Sequence, residues 1–241
     1  MIQPKASPKA RGKESHALLS TLVAIGLIAL CLWASNWQYQ RGVARHYRNT
    51  LIASQSVLTP TTLTMVEKNV ASSEWRKVEA EGKFDPAHQI LLRNRYFNGK
   101  YGFDLLTLFT DSGHRSFWVD RGWIAPGINA KMTPTLPPTS TSIVSIIGRI
   151  RLDRSLPQGS FFAISAGSRN LIEKWNAQSG SRIQTEKFYV DLLTSSDSTM
   201  TPAVAVELPE LSDGPHMAYA LQWLFFAGLV IYGRLLLRRA R

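Results

Sequence analysis

The sequence is poor in the residues that build disulfides, redox centres and metal clusters. Its one cysteine, Cys31, lies inside an apolar run, so an intramolecular disulfide and a C-x-x-C motif are both excluded. The three histidines between residues 40 and 213 have no second metal ligand at strand or helix spacing; they are His46, His88 and His114. Walker, dinucleotide-binding and G-x-S-x-G motifs are also absent from the sequence. We therefore predict that the protein is not an enzyme.

Acidic residues are few, 17 against 28 basic ones, and the net charge is +11. A charge of this size is compatible with a nucleic-acid partner, but its distribution argues against one. The tail before residue 17 carries +3 and the run from Arg234 onward carries +4, which leaves +4 for the chain between them. Basic residues beside apolar segments mark the cytoplasmic ends of membrane proteins. We expect a lipid bilayer, and no nucleic acid, as the partner of these charges.

Two long apolar runs lie near the ends of the chain. The first, residues 17–37, contains no charge, and the second, residues 217–237, is interrupted only by Arg234. As a helix the first run is roughly 31 Å long, enough to cross the hydrocarbon core of a bilayer. The alternative for this run is a cleaved signal peptide, for which only a weak cleavage site exists near Ala34 and Ser35. We expect two membrane spans with both basic tails in the cytoplasm.

This organisation predicts a multi-pass protein of the bacterial inner membrane whose central part is periplasmic. A mitochondrial inner-membrane protein is the equivalent alternative. The predicted segments are a cytoplasmic basic tail 1–16, transmembrane helix 17–38, periplasmic domain 39–213, transmembrane helix 214–237 and cytoplasmic basic tail 238–241.

The central segment has the pattern of a β-rich domain. Residues 78–84 alternate between apolar and charged side chains, which is typical of a strand with one wet face. Similar runs separated by turn residues predict strands over residues 75–84, 88–97, 101–110, 115–124, 141–151 and 186–193. Asn98–Gly99 predicts a hairpin turn, and residues 168–180 predict a short helix with a glycine stop. The fold class is a membrane α+β protein in which two transmembrane helices flank an antiparallel sheet or barrel-like extracytoplasmic domain.

Charged residues of the central segment offer few candidates for chemistry. Asp104, Asp120 and Asp191 are scattered along the sequence, and we expect them at the surface or in turns rather than as a catalytic pair. Arg93 and Arg95 are two apart on one predicted strand and should share a face. For these two and for Arg121, which lies between apolar neighbours at a strand end, two interpretations stay open. They pair with a nearby acid such as Asp104 or Asp120, or they bind the carboxylate of a ligand, for example a haem propionate.

The start of the second span carries polar and aromatic side chains. His216, Tyr219, Ala220 and Trp223 follow the i, i+3, i+4, i+7 rule and should lie on one helix face. A helix N-terminus favours the neutral imidazole, which is the form that binds metal, so His216 is a candidate axial ligand of a haem iron. The alternative is an interfacial aromatic belt, with Gln222 bonded to the other span.

The outer end of the first span has a matching cluster, formed by Asn36, Trp37, Gln38 and Arg41. Because the chain leaves and re-enters the membrane on the same side, this cluster and the residues from His216 to Trp223 should lie at a similar depth. We therefore predict that the two clusters meet.

These motifs, in this order between two spans, resemble the Surfeit locus protein 1 family of cytochrome c oxidase assembly factors. The matching elements are W-Q-x-x-R at residues 37–41, G-x-F-D at 82–85, R-G-W at 121–123 and H-x-x-Y-A-x-Q-W at 216–223. Two positions depart from the family's pattern. Ser35 or Asn36 stands where the family often has a glycine, which bears on helix packing. The family's R-x-x-x-G-x-x-G element has three residues between its arginine and the first glycine, whereas five residues separate Arg93 from Gly99 here.

The resemblance implies a function without turnover. It implies maturation of a haem–copper oxidase, with transient binding of haem A and its transfer to the catalytic subunit, and partnership with that subunit and with the haem A synthesis enzymes. His216 would be the axial ligand, and the residues implied as its companions are Tyr219, Gln222, Trp223, Trp37, Gln38, Arg41 and Arg121. Two alternatives stay open: a membrane scaffold that stabilises an oxidase subunit without haem, and an unrelated periplasmic enzyme or sensor.

Overall fold

The computed structural model describes residues 17–127, 134–152, 170–180 and 184–239. The predicted basic tail 1–16 and the last two residues of the C-terminal tail lie outside these residues. The chain divides into two compact units. The helical unit comprises the chain up to Thr50 and from Leu211 onward, and the barrel unit comprises Leu51–Glu210.

The elements follow one another along the chain as α1 (Ala17–Val57), β1 (Thr61–Thr62), α2 (Leu63–Val66), a 3₁₀ segment (Glu67–Ser73), β2 (Lys77–Phe97), β3 (Lys100–Asp111), β4 (Ser116–Ile124), β5 (Val144–Leu152), α3 (Leu171–Gln178), β6 (Phe188–Ser195) and α4 (His216–Arg239).

Helices α1 and α4 are each long and apolar enough to cross a membrane, judged by length and composition. Both carry large apolar side chains that are exposed in the protein, among them Leu22 in α1 and Phe225 in α4. Helix α1 continues without interruption beyond the predicted span 17–38 and ends at Val57.

Small side chains form the packed stripe of the helical unit. Ala24, Cys31 and Ser35 are buried on α1, and Ala220 and Ala227 are buried on α4. Ser35 Oγ donates a hydrogen bond to the carbonyl oxygen of Ala220 at 2.9 Å. Small residues let helix backbones approach closely, and a polar bond between helices adds to their pairing in an apolar medium. Ser35 therefore contributes a hydrogen bond between the two helices.

Arg234 joins the other end of the helix pair. Its Nη2 donates to the carbonyl oxygen of Ala17 at 2.8 Å and to Thr21 Oγ1 at 2.7 Å. The Arg234 guanidinium, near the end of α4, thus binds the first turn of α1. These bonds give hydrogen-bond acceptors to a cation that lies on an otherwise apolar helix.

The strands of the barrel unit form a closed ring. Going round it, β2 pairs with β3, β3 with β4, β4 with β6, β6 with β5, and β5 returns to β2. The long strand β2 closes the ring because its first part, Lys77–Gly82, pairs with β5 while its remainder pairs with β3. The barrel-like alternative of the predicted fold is therefore the one observed.

The other alternative of the predicted fold, an antiparallel sheet, is corrected, because the sheet is mixed. Strands β4 and β6 run parallel, as do β1 and β2. A parallel pair needs a long crossover connection, and the chain between β4 and β6 supplies one, through β5 and α3. The alternation of side chains along a strand does not depend on the direction of its neighbour, so the sequence pattern carried no information on this point.

Alternation along the strands gives the barrel two apolar layers. One cluster contains Phe109, Val119 and Val190. The other contains Trp118 and Tyr189 together with Leu171, Ile172 and Trp175 of α3. Neighbouring residues of β4 and of β6 thus belong to different layers, and α3 covers the second one.

The predicted Asn98–Gly99 turn and the predicted short helix with a glycine stop are both confirmed, with Gly99 and Gly180 at positive φ.

Candidate functional site

His216 begins α4 and meets Gln38 of α1. Its Nδ1 lies 3.0 Å from Gln38 Oε1. Because an amide oxygen only accepts hydrogen bonds, Nδ1 carries the proton in this arrangement and Nε2 carries the lone pair. No hydrogen bond to Nε2 is found among the residues that the structure describes. Histidines that ligate metals are commonly held in this way, with one ring nitrogen bonded to an oxygen acceptor and the other directed to the metal.

Gly42 provides the space that His216 occupies. A Cβ at this position would lie 3.3 Å from His216 Cβ and 3.2 Å from Met217 Sδ. Those distances are tighter than ordinary van der Waals contact, so a larger side chain displaces the start of α4. The absence of a side chain at Gly42 therefore brings the imidazole close to α1 and to Gln38.

The remaining predicted companions of His216 lie on the two helices with different degrees of exposure. The Arg41 guanidinium stacks over the Trp37 ring at 5.0 Å, and both side chains are exposed. Trp223 is half-buried and packs edge-on against Phe226 at 5.8 Å.

Tyr219 and Gln222 are exposed, and Gln222 has no hydrogen bond to α1 among the described residues. The alternative in which Gln222 ties the spans together therefore has no support; Ser35 makes such a bond instead.

A polar latch joins α1 to the segment before α4. The Asp213 carboxylate lies 2.8 Å from His46 Nδ1, and its other oxygen accepts from Asn49 Nδ2 at 2.8 Å. Arg45 Nε donates to the carbonyl oxygen of Ser212. Hydrogen bonds from His46 and Asn49 lower the pKa of Asp213. The latch fixes the chain three residues before His216 and so fixes where α4 begins.

Replacing Gly42 with leucine should loosen this helix pair. Overpacking of a tight contact typically costs about 1–3 kcal/mol, and here it displaces His216 and Met217 from α1. We expect a lower unfolding midpoint by circular dichroism in detergent and loss of the His216–Gln38 bond. Gly26→Leu on the same helix is the matched control, because nothing lies within 4 Å of a Cβ at Gly26. Equal midpoints for the two variants would contradict the close packing at Gly42.

Arg121 belongs to the barrel unit and is 5% exposed at the end of β4. Its Nη1 donates to Thr139 Oγ1 at 2.7 Å and its Nη2 to the carbonyl oxygen of Pro138 at 2.8 Å. Neither of the two acids suggested from sequence pairs with it. The following Gly122 has φ +87°, and a Cβ there would lie 2.2 Å from the carbonyl oxygen of Val204. The R-G-W element is therefore a tight backbone contact at which only glycine fits.

The expectation that the three scattered aspartates are surface or turn residues is wrong. Asp104, Asp120 and Asp191 are at most 8% exposed and lie on β3, β4 and β6. Asp120 and Asp191 are direct partners in the parallel pairing of β4 and β6, which brings together residues 71 positions apart. The sequence has no repeating pattern of acidic residues that would mark this site, because β3, β4 and β6 each contribute only one aspartate to it.

Arginines that are buried or half-buried accompany these acids. Arg95 Nε lies 2.7 Å from Asp104 Oδ2, Arg151 forms a short ion pair with Asp191, and Arg149 Nε lies 3.9 Å from the same carboxylate. The prediction that Arg95 pairs with a nearby acid such as Asp104 is confirmed. The expectation that Arg93 and Arg95 share a strand face depended on regular alternation of side chains. A register shift between Leu92 and Arg95 interrupts that alternation, and Arg93 is exposed.

Burial raises the pKa of two of these acids, Asp104 and Asp120. It raises the pKa of Asp104 to about 6 against the opposing effect of Arg95. It raises the pKa of Asp120 well above its usual range, and the neighbouring Asp104 and Asp191 add to that effect. Asp120 also accepts a hydrogen bond from the backbone N–H of Gly122 at 2.8 Å, which opposes that rise in its pKa.

The stability of the barrel should respond to pH through Asp104. Because the pKa of Asp104 is higher in the folded than in the unfolded chain, the folded state binds more protons between about pH 4 and pH 6. The free energy of unfolding contributed by this group therefore falls as pH rises through that window, by an amount on the order of 3 kcal/mol.

Asp104→Asn lacks this titration, so its stability relative to the wild type should rise between pH 4 and pH 7. Denaturant unfolding of both proteins across that range measures the difference. A difference independent of pH would contradict the raised pKa of Asp104.

Among the described residues, no group of three or more His, Cys, Asp or Glu side chains is placed to hold a metal ion. A single imidazole with an anchored Nδ1, as at His216, suits instead a group that brings its own equatorial ligands, such as a haem. The donor chemistry at the helix pair thus fits one axial position.

Comparisons with known proteins agree with the motif order. The model of the SURF1 family matches residues 25–228. Uncharacterised SURF1-like proteins of Mycobacterium bovis and Mycobacterium tuberculosis are 25% identical over 224 residues, which cover 90% of this chain and 81% of theirs. The family match runs from within α1, through the whole barrel, to the middle of α4.

Proposed function

The chain belongs to the SURF1 family, and from this premise we propose that it is an assembly factor for a haem–copper cytochrome c oxidase. In this proposal it binds haem A transiently and aids its insertion into the catalytic subunit. SURF1 proteins are known generally as oxidase assembly factors, and the match over residues 25–228 supports the general role. The haem-binding role is the finer proposal and depends on the helical unit.

The observation that carries the haem proposal is the hydrogen bond between His216 Nδ1 and Gln38 Oε1. It orients an imidazole at the start of an apolar helix and leaves Nε2 for an axial bond to iron. Gln38 lies in the W-Q-x-x-R element and His216 in the H-x-x-Y-A-x-Q-W element. The two elements, 178 positions apart, are in direct contact.

Each side chain around His216 has a defined task in this proposal. Gln38 fixes the imidazole, while the exposed rings of Trp37 and Tyr219 offer apolar surface to a macrocycle. Arg41, stacked on Trp37, is the cation available for a propionate. When bound, haem A supplies redox-active iron; the protein supplies ligation, orientation and an apolar environment. We propose no catalytic turnover.

We further propose that the two helices span the inner membrane of a bacterium with both termini in the cytoplasm and the barrel in the periplasm. The basic residues at both ends of the sequence support this orientation. The proposed partners are the oxidase catalytic subunit and the enzymes that synthesise haem A.

A second candidate function is a membrane scaffold that stabilises an oxidase subunit without touching haem. The bonds from Ser35 to Ala220 and from Arg234 to Thr21 favour it, because they show polar groups of the helices used for pairing. In that case the His216–Gln38 bond is one more bond of the same kind. Membership of the SURF1 family argues against the third alternative, an unrelated periplasmic enzyme or sensor; normal oxidase activity in a deletion strain would favour it.

A deletion strain complemented with variants separates these functions. With the wild type, the oxidase catalytic subunit should contain its full complement of haem A. With His216→Ala we expect the subunit to be made but to lack most of its haem, because the carrier has lost its ligand. Haem A per subunit, measured on purified oxidase, is the readout. Full haem content with His216→Ala would favour the scaffold.

A further inference from the structure

Arg121 differs from the other buried arginines of the barrel in its surroundings. Arg149 and Arg151 both form ion pairs with Asp191. Among the described residues, no carboxylate lies against Arg121. A buried charge is normally paired, because removing it from water without a counter-ion costs several kcal/mol. Among the described residues, the two other buried arginines follow that rule, which makes the exception at Arg121 informative.

The groups that do contact Arg121 are all neutral. They are the Thr139 hydroxyl, the Pro138 carbonyl oxygen, Met200 Sδ at 3.5 Å and the Phe84 ring at 5.8 Å from the guanidinium carbon. The Nε of Arg121 is buried without a hydrogen-bond partner among the described residues. Burial lowers the pKa of Arg121 to about 10, so the side chain remains a cation at neutral pH with no anion to compensate it.

A cavity of about 530 Å³ is lined by Arg121. This Arg121 cavity has the size of a small-molecule site, which is typically about 300–1,000 Å³. Its other walls are largely apolar and include Trp123, Ile124, Leu136, Pro137 and Val204. One buried cation among apolar walls is the arrangement that recognises a molecule with one acidic group and an apolar body.

We propose that the Arg121 cavity binds a small carboxylate that carries a short apolar chain, with the guanidinium of Arg121 pairing with the carboxylate. One cation matches one negative charge, and the planar guanidinium matches the two oxygens of a carboxylate. The apolar walls accommodate the chain. This site lies wholly within the barrel unit and does not depend on the haem site proposed at His216.

Saturation-transfer NMR with hexanoate tests the proposal on the full-length protein in lipid nanodiscs. Signal from empty nanodiscs is subtracted, which removes partition of the acid into lipid. Hexanamide serves as the uncharged probe of nearly the same shape. We expect saturable binding of hexanoate, at least tenfold weaker binding of hexanamide, and at least tenfold weaker binding of hexanoate to Arg121→Gln.

Two further variants keep the test decisive. Arg93→Gln removes one exposed positive charge from the same unit and should bind hexanoate as the wild type does. Ala203→Trp leaves Arg121 in place and fills the cavity that Ala203 lines, so it should abolish binding even if Arg121→Gln fails to fold. Equal binding of hexanoate and hexanamide, or undiminished binding by folded Arg121→Gln and by Ala203→Trp, would overturn the proposal.

Discussion

Purified protein in which His216 is replaced with alanine should no longer retain haem A. The imidazole is the ligand that the structure presents with an anchored Nδ1 and an available Nε2, and alanine offers no replacement donor. We expect the haem A content of protein co-expressed with the haem A synthesis enzymes to fall at least tenfold. The helical content should stay close to that of the wild type, because His216 is half-buried and contributes a single hydrogen bond between the helices. Absorption spectroscopy and circular dichroism on the same sample measure both quantities.

The matched control for this variant is His114→Asn. His114 lies in the turn between β3 and β4 with φ +62°, a conformation that asparagine tolerates. The His114→Asn variant removes a histidine of the barrel unit and leaves the sequence of the helical unit unchanged, so the haem content should stay the same. Gln38→Ala should give an intermediate result, since loss of a ligand's hydrogen-bond partner typically reduces metal affinity about 10- to 100-fold. Equal haem in His216→Ala and in His114→Asn would contradict the assignment of the ligand.

The second large effect is expected at Asp191. Its carboxylate lies between Arg151 and Arg149 and is 1% exposed. Replacing Asp191 with leucine leaves two buried cations without their shared anion. Removing one partner of a buried ion pair typically costs about 3–5 kcal/mol. We therefore expect the free energy of unfolding to fall by about that amount, or the variant to fail to accumulate in the membrane.

A partly exposed acid, Asp197, gives the comparison for Asp191. Asp197→Leu removes a carboxylate that accepts from the backbone N–H and hydroxyl of Thr199 in a surface turn. Its effect on the unfolding midpoint should be much smaller than that of Asp191→Leu. If the two variants unfold alike, the buried ion network does not stabilise the barrel in the way inferred from its geometry.

Local features were predictable from the sequence because their causes are local. The Asn98–Gly99 turn follows from two residues that accept positive φ, and α3 follows from a short amphipathic run ended by Gly180. The two apolar helices follow from the length of uncharged sequence. The contact between Gln38 and His216 was predicted in outline, since two spans that exit on one side bring their ends to one depth.

The buried acids were not predictable because their cause is not local. In the sequence Asp104, Asp120 and Asp191 each resemble a surface residue, until the pairing of β4 with β6 places Asp120 beside Asp191. Closure of the ring likewise depends on the length of β2, which pairs with two strands. The alternation of side chains along β2 is interrupted near residues 85–89, so the sequence pattern predicted two shorter strands there instead of one long strand. The role of Gly122 depends on the approach of Val204, 82 positions away, and sequence inspection identified only the motif.

An absorption spectrum of the detergent-purified wild-type protein, co-expressed with the haem A synthesis enzymes, tests the central claim most directly. The account predicts a haem A spectrum that co-purifies with the protein and is lost in His216→Ala. A colourless wild-type preparation from cells that contain haem A would contradict haem binding and would favour the scaffold function for this member of the SURF1 family.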